Sequence, residues 1–388
     1  MRNANDKAEA TSQGAKLGVA GIVHLLEKGG WRGRFTYSRL DEAVLLDGLT
    51  FRANDLTRIQ VELQVDHGAR TGVSDLERAV SLVAENHSFH PVCDWLTGLS
   101  WDGTRRLDRL LIEYLGADDT ALNRKLGALW LIGACARAFE PGCPVEGALV
   151  LLGSGGGRGA GGLCSALVPV PTWAGAAAID IKRQDALVEV HGAWLFELAD
   201  NESLATSSID ARKAFIRRRV DRYRPPFHTG GPDHRRQAVF VATTTLEAFV
   251  ERPFGGAEWW TVIVGHSDLD ALRRDRDQLF AEAFSRYRVG ESWSIDEEDV
   301  ARLAAVQHAL VPPDSREERL AAWVAKQVRP FTVGEAIHGG LGLCPEPKEE
   351  PKLRLAVGKM LGRLRCTWAR PRAEGGGRFT RWERPVVR

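Results

Sequence analysis

Residues 148–162 read ALVLLGSGGGRGAGG, a short apolar run that ends in glycine and continues into a loop made mostly of glycine. The run 148–152, closed by Gly153, predicts a buried strand. A glycine-rich loop directly after such a strand is where a phosphate-binding loop occurs. That loop needs glycine N–H groups aimed at phosphate oxygens, a lysine that neutralises phosphate charge, and a Ser or Thr hydroxyl that holds Mg²⁺.

Of these three requirements, the sequence meets only the first. The lysine position is occupied by Gly159 and the hydroxyl position by Ala160, and no lysine occurs in residues 126–181. Arg158 stands one position early and would have to bend back. Taken alone, this segment favours a flexible loop without a ligand. The nucleotide-binding positions to be tested are Gly153, Gly156, Arg158, Gly159 and Ala160.

Three further apolar runs of strand length follow the glycine loop, at 193–198, 238–244 and 260–264. A helical pattern at 207–220 separates the first two of these runs. Buried strands interleaved with helices are typical of a parallel sheet covered by helices, so the sequence predicts an α/β fold. Trp259 and Trp260 are expected in a core or an interface rather than stacked on bases.

The order of elements divides the chain into five predicted segments. In the last segment, helical patterns at 333–338 and 353–364 precede a glycine turn at 375–377. Two helices followed by a hairpin is the order expected of a winged helix. The segments are a tail with a short helix (1–34), a helical N-terminal domain (35–147), the α/β core (148–300), a helical connector (301–330) and a basic winged-helix-like domain (331–388).

Charge is distributed unevenly along the 388 residues. The formal net charge is +1, so any nucleic-acid role must depend on local patches. Residues 351–388 hold eleven Lys or Arg against two acidic residues, a net charge of +9. This segment is either a polyanion-binding surface or a tail packed on an acidic face of the same protein. A second basic cluster is either a DNA-facing surface or a solvated helix face: Arg217, Arg218, Arg219, Arg222, Arg224, His234, Arg235 and Arg236.

Cysteine spacing and hydropathy exclude several classes of protein. None of the six cysteines forms a C-x-x-C pair or adjoins a histidine cluster, so we expect buried reduced thiols and no metal site. The apolar stretch 17–26 lacks the features of a signal peptide. The stretch 126–139 is too short to cross a bilayer. We therefore expect a cytoplasmic protein without a membrane segment.

Strings spread between residues 35 and 300 resemble the virulence-associated protein E family of mobile-element P-loop ATPases. They occur in the family's order and spacing. The strings are HPV (90–92), LSWDGTRRL (99–107), PGC (141–143), GAWLFELAD (192–200), KAF (213–215), DRYRPP (221–226), FVATT (240–244) and RDQLFAEA (276–283).

This resemblance implies a P-loop NTPase core of the AAA+ or superfamily 3 helicase type, with ATP and Mg²⁺ as cofactors. The implied work is ATP-driven DNA unwinding or origin remodelling in a homo-oligomeric ring. By position, Glu197 and Asp200 match the acidic residues that orient the attacking water or hold Mg²⁺. Relatives are often fused to a primase. Because no primase signature precedes residue 35, we expect a primase partner to be a separate chain.

The chain departs from the family's pattern at four elements. Besides the lysine and the hydroxyl, Thr245 stands where the family has Asn, and Ala257 and Glu258 stand where it has two arginines. Such an arginine finger is worth about 10³ to 10⁵ in rate. Glu258 is expected to place negative charge near a triphosphate. ATP and Mg²⁺ binding is thus in doubt, and hydrolysis is predicted to be impaired or absent.

DNA, single- or double-stranded, is the predicted macromolecular partner. The leading interpretation is a replication-associated protein of a phage or plasmid that keeps an ATPase fold as a DNA-binding or assembly scaffold. The alternatives are an active ATPase or helicase with an atypical site, and a decaying prophage product. The predicted DNA-binding residues are Lys213, Arg217, Arg218, Arg222, Arg224, Arg363, Arg365, Arg378 and Arg381.

Overall fold

The computed structural model describes residues 16–28, 30–153, 162–183, 185–199, 207–223, 233–245, 249, 256–310, 315–343, 350–369 and 381–383. The chain divides into two compact units, Met1–Leu310 and Val311–Arg388. The domain boundaries predicted inside these units stay predictions.

The first unit alternates strands and helices along its described residues. Its strands are β1 (Lys16–Leu17), β2 (Phe35–Ser38), β3 (Ala43–Leu46), β4 (Leu49–Thr50), β5 (Arg70–Thr71), β6 (Ser88–Phe89), β7 (Ala148–Gly153), β8 (Ala174–Ala177), β9 (Leu195–Leu198), β10 (Val220–Arg222), β11 (Asp233–Arg235), β12 (Val239–Thr245) and β13 (Trp259–Val264). Its helices are α1 (Val19–Lys28), α2 (Ala53–His67), α3 (Val73–Asn86), α4 (Pro91–Gly98), α5 (Leu110–Glu113), α6 (Ala121–Phe139), α7 (Leu163–Leu167), α8 (Asp185–Val190), α9 (Ile209–Ile216), α10 (Leu269–Arg288) and α11 (Glu297–Leu310).

A five-stranded sheet of order β13-β7-β12-β9-β8 forms the core of this unit, and all of its neighbouring strands are parallel. The α/β prediction with a parallel sheet is confirmed. Its strands are continuous apolar runs because helices cover both faces. Trp259 and Trp260 are buried at the start of β13, as predicted. The edge strand β8 escaped prediction because its sequence, AGAA, has little strand propensity.

The strand order places a reversal of direction at β7. From β7 the chain crosses to β8 at the far edge, returns through β9 to β12 beside β7, and then passes to β13 on the other side of β7. In open parallel sheets, ligands bind in the crevice outside the carboxyl ends of the strands where this order reverses. In this protein, β7 ends at Gly153, and the glycine loop follows.

The N-terminal part of the first unit contains short strands among its helices, which the predicted helical domain at 35–147 did not include. A four-stranded sheet of order β4-β3-β2-β6 lies among its helices, and β1 pairs with β5. These strands are only two to four residues long, so they show no hydrophobic alternation that would distinguish them in the sequence. The long helix of this part is α6, which spans Ala121–Phe139.

A two-stranded antiparallel hairpin, β10–β11, projects from the chain between α9 and β12. Its base is fixed by Arg236, whose side chain is 1% exposed. The Arg236 guanidinium donates to both carboxylate oxygens of Asp221, at 2.8 and 2.5 Å, and to the Phe215 carbonyl oxygen at 2.5 Å. Burial lowers the pKa of Arg236, and the hydrogen bond with Asp221 opposes that shift. The pair therefore joins α9, the hairpin and the start of β12.

Along its described residues, the second unit has three helical segments followed by two short paired strands. Phe331 pairs with Trp382 through two backbone hydrogen bonds, of 2.8 and 2.7 Å. The elements of the second unit are α12 (Ser315–Ala325), α13 (Val333–Glu335) continued by a π-helical turn (Ala336–Gly340), α14 (Glu350–Arg363), β14 (Thr367–Ala369) and β15 (Arg381–Glu383). Across the described residues of both units, no helix has the length and apolar character needed to span a membrane.

We expect Arg236→Met to lower the free energy of unfolding of the first unit by about 3–5 kcal/mol, because it leaves the Asp221 carboxylate buried and unpaired. Arg222→Met is the matched control, since Arg222 pairs with Asp233 at 3.1 Å on the surface, and we expect it to cost less than about 1 kcal/mol. Urea unfolding followed by tryptophan fluorescence measures both values. Equal losses would contradict the assignment of Arg236 as a structural residue.

Candidate nucleotide and nucleic-acid sites

Three of the residues predicted for the nucleotide site lie at the carboxyl edge of the parallel sheet. Gly153 ends β7 and is paired in register with Thr245, which ends β12. Glu197 lies in the adjoining strand β9, opposite Val241 of β12. The fold therefore brings Gly153, Glu197 and Thr245 to one edge of neighbouring strands.

The Glu197 carboxylate accepts hydrogen bonds on both of its oxygens. Oε1 accepts from the Thr243 hydroxyl at 2.9 Å, and Oε2 accepts from the Gly162 N–H at 3.1 Å. Gly162 directly precedes α7 and has a φ of +92°. This left-handed backbone conformation favours glycine. Glu197 thus ties the exit of the glycine loop to β9 and β12, and it is only 7% exposed.

Cys164, in the first turn of α7, lies in the same buried environment. Burial raises the pKa of its thiol well above the usual value, and the negative charge of Glu197 raises it further. Burial likewise raises the pKa of Cys93 to about 12. The described cysteines are free, and all are buried or half-buried. Cys344 lies outside the described residues.

The residues that would complete an ATP site fall outside the described part of the chain. These are Gly156, Arg158, Gly159, Ala160 and Asp200. What the described part shows is that the oxygens of Glu197 already have donors from the chain itself.

Glu258, which stands where the family has an arginine, is buried in the structure. Its side chain is 3% exposed and precedes β13, at the amino edge of the sheet. It lies near Arg212, whose pKa is lowered by burial and partly restored by the Glu258 charge. The expectation that Glu258 places negative charge near a triphosphate stays a prediction. Ala257 contributes its carbonyl oxygen to the Trp260 indole N–H at 3.1 Å.

The first group of predicted DNA-binding residues lies around α9 and the hairpin β10–β11. Lys213 is exposed on α9, and Arg217 pairs with Glu146 at 3.5 Å. Arg218 and Arg222 line a cavity of about 320 Å³. Lys182 and Arg183 line the same cavity, and sequence reasoning missed them because they precede α8, far from the arginine cluster. Arg224 lies outside the described residues.

Two members of the basic sequence cluster are not surface residues. Arg236 is buried in its pair with Asp221, and His234 is 7% exposed. The His234 Nδ1 contacts the Glu42 carboxylate, and its Nε2 lies 3.2 Å from the Tyr223 carbonyl oxygen. These two side chains hold the base of the hairpin and are not available to phosphate groups.

The second group of predicted DNA-binding residues belongs to the second unit. Arg363, in the last turn of α14, forms an ion pair with Glu317 of α12, with Nε 3.0 Å from Oε2. Arg365 is exposed and has a φ of +57°. Arg378 and the side chain of Arg381 lie outside the described residues.

One group of polar side chains had no signal in the sequence. Glu42, His191 and His234 each bring one ligand-type atom within 4.8 Å of the others. They come from the turn before β3, the segment after α8, and β11. Residues so far apart in the chain form no recognisable spacing, and only the tertiary fold brings them together.

The chain is similar to one protein family and to two solved structures. The sequence profile of the virulence-associated protein E-like domain matches residues 96–311, more than half of the chain. Two solved structures of the apo A form of the NrS-1 C-terminal region are similar to it. One has a TM-score of 0.45 and 10% identity over 95% of this chain and 100% of that chain. The other has a TM-score of 0.39 and 9% identity, over 75% and 78% respectively. No curated protein matches.

We expect Glu197→Ala to lower the free energy of unfolding by about 2–3 kcal/mol, because the Gly162 N–H and the Thr243 hydroxyl lose a buried acceptor. Glu197→Gln keeps one acceptor oxygen and should cost less. Glu189→Ala, which removes an exposed carboxylate from α8, is the control and should change stability by less than about 0.5 kcal/mol. Urea titration measures all three variants. A Glu197→Ala protein as stable as the control would refute a structural role for the carboxylate.

Proposed function

Because the chain belongs to the virulence-associated protein E-like family, we propose that it is a replication-associated protein of a mobile genetic element. In this proposal it binds DNA, and its ATPase-type core acts as a scaffold rather than a motor. A homo-oligomeric ring and a separate primase are further parts of the proposal, carried over from the family resemblance.

The proposal depends on which residues occupy the carboxyl edge of the sheet and what they contact. Glu197 lies there in the position of a catalytic acid, yet its oxygens accept from Gly162 and Thr243. The loop that follows Gly153 has neither a lysine nor a Ser or Thr at the positions that nucleotide chemistry requires. Each replaced residue lowers the expected rate of ATP hydrolysis, and these reductions multiply. The loss of an arginine finger alone lowers that rate by about 10³ to 10⁵.

A P-loop type of core is the finer part of the proposed fold. It is supported by the reversal of strand order at β7 and by the glycine loop that leaves its carboxyl end. In parallel sheets that point is where ligands bind. In this proposal the P-loop type of arrangement is kept, although the lysine and the hydroxyl that nucleotide chemistry requires are replaced.

DNA binding is assigned first to the cavity beside the hairpin β10–β11. Four cationic side chains line it, and three of them form ion pairs with nearby aspartates: Arg183 with Asp185 at 2.8 Å, Arg218 with Asp221 at 3.8 Å and Arg222 with Asp233 at 3.1 Å. The exposed pairs of Arg183 and Arg222 are worth about 0–1 kcal/mol, so phosphate oxygens can replace their carboxylates at little cost. Arg218 instead faces the buried Asp221, which also pairs with Arg236.

DNA binding is assigned second to the C-terminal unit, for which we propose a winged-helix arrangement. The pairing of Phe331 with Trp382, and the hairpin β14–β15 that follows α14, give it the helix-and-hairpin order of that fold. Residues 351–388 carry a net charge of +9. Such local charge binds the phosphate backbone by releasing counterions, without reading the base sequence.

ATP hydrolysis by the purified full-length chain is expected at background, with or without single-stranded DNA. Gly159→Lys combined with Ala160→Ser should increase nucleotide binding because it restores the phosphate-neutralising charge and the Mg²⁺ hydroxyl. It should not restore turnover, because Ala257 and Glu258 replace the arginines. Phosphate release and fluorescent-nucleotide binding measure the two quantities.

The control for this prediction is Glu197→Gln in the wild-type background. If the wild type hydrolyses ATP at about 1 s⁻¹ or faster, and Glu197→Gln abolishes that activity, the protein is an active ATPase with an atypical site and the scaffold proposal is wrong.

Affinity for DNA should fall with salt, with a slope of log affinity on log salt of about −4 to −7, as expected for about five to eight phosphate contacts. Lys182→Ala with Arg222→Ala, and separately Arg365→Ala with Arg378→Ala, should each flatten the slope by about 1–2 because each removes two cations. Fluorescence anisotropy with labelled single- and double-stranded oligonucleotides measures the slopes, without nucleotide present.

The matched control is Arg58→Ala with Arg78→Ala, which removes two exposed arginines from α2 and α3, each paired with an acid on its own helix. Its slope should equal that of the wild type. If all three double variants behave alike, the basic surfaces named above are solvated faces and do not bind DNA.

A further inference from the structure

Glu42, His191 and His234 form a compact polar group at the base of the hairpin β10–β11. One ligand-type atom from each lies within 4.8 Å of the other two. His234 is buried, and the other two are half-buried. The three residues belong to different elements, so the group joins the β2–β3 turn, the end of α8 and the hairpin.

The two imidazole rings are oriented by backbone carbonyl groups. The His234 Nε2 lies 3.2 Å from the Tyr223 carbonyl oxygen, and the His191 Nε2 lies 2.9 Å from the Asp41 carbonyl oxygen. Donation of one ring N–H to a backbone carbonyl is the usual arrangement of a metal-binding histidine, because it fixes the tautomer and turns the other nitrogen toward the ion.

The contacts of His234 require a cation. Its Nε2 faces a carbonyl oxygen and its Nδ1 faces the Glu42 carboxylate, and both of these partners only accept hydrogen bonds. A neutral imidazole carries one N–H and can satisfy only one of the two. Either a second proton or a metal ion must therefore lie between Nδ1 and the carboxylate.

The surroundings favour a metal ion over a proton. A single proton would need only Glu42 and His234, whereas a second imidazole, His191, belongs to the same group. These residues line a cavity of about 20 Å³, enough for one ion or one water molecule. Asp221, which also lines the cavity together with Arg235, is already paired with Arg236, so Glu42 is the carboxylate that faces the two imidazoles.

We propose that Glu42, His191 and His234 bind a divalent transition-metal ion, with Zn²⁺ as the ion that best suits two imidazoles and one carboxylate. Zn²⁺ takes such ligands at about 2.0–2.2 Å in tetrahedral geometry, with water completing the set. Binding requires the contact between Glu42 and His234 to widen so that the ion replaces the shared proton. The ion would fasten the base of the hairpin to the N-terminal sheet.

The test uses the full-length chain without a polyhistidine tag, stripped of metal with a chelator and dialysed. Calorimetric titration with Zn²⁺ should show one ion per chain, with a dissociation constant of about 1 µM or tighter. Zn²⁺ should also raise the unfolding temperature, because a ligand that binds only the folded state stabilises it. Co²⁺ should give the visible absorption of a tetrahedral site without thiolate charge-transfer bands, which excludes binding by the cysteines.

Glu42→Gln, His191→Gln and His234→Gln should each weaken Zn²⁺ binding by about 100-fold or more, whereas the exposed control His67→Gln should bind as the wild type does. Far-UV circular dichroism verifies folding, and if His234→Gln is unfolded the other two variants decide. A folded wild type that takes up no stoichiometric Zn²⁺ would overturn the proposal, since it would leave a proton as the cation between Glu42 and His234. Zn²⁺ binding that survives in the folded variants would also overturn it.

Discussion

The buried ion pair between Arg236 and Asp221 is the interaction on which the arrangement of the first unit depends. Arg236 reaches helix α9 through the Phe215 carbonyl, and its own backbone carbonyl accepts from the Arg137 guanidinium at 2.9 Å and from the Gly142 N–H at 2.8 Å. One residue thus joins α9, the hairpin, the start of β12 and the end of α6. Because a buried charge without its partner is costly, conformations that separate Arg236 from Asp221 are strongly disfavoured.

The ion pair lies at the opposite edge of the sheet from the residues predicted for the nucleotide site. The hairpin β10–β11 ends shortly before β12 begins, so its base lies at the amino end of that strand. Gly153, Glu197 and Thr245 lie toward the carboxyl end of the same sheet. Side chains at the carboxyl edge can therefore differ without disturbing the contacts that hold the hairpin.

The histidine group belongs to the amino edge as well. His234 precedes Arg236 by two positions on the same short segment, so the ion pair and the proposed metal site fix one hairpin from two sides. The ion pair anchors the hairpin to the core helices, whereas Glu42 anchors it to the N-terminal sheet. The N-terminal sheet thereby takes part in positioning a basic surface that lies far from it in sequence.

The sequence by itself determined the elements whose information is local. The apolar runs of β7, β9, β12 and β13, and the helix α9 between β9 and β12, were predictable because burial on a regular element leaves a periodic or continuous apolar pattern. The family strings were also readable directly. Tertiary structure alone decided where charged side chains lie, because a charged residue is buried only when a partner meets it, and that partner is set by the fold.

Arg236 and His234 belong to a basic run that predicts a surface, yet both side chains are buried. Arg236 pairs with Asp221, and His234 contacts Glu42. Glu258 is buried for a similar reason, beside Arg212. The strands of the N-terminal sheet and β8 were hidden because they are short or poor in strand-forming residues. The meeting of Glu42, His191 and His234 depends on three distant elements closing on one another, which no local pattern records.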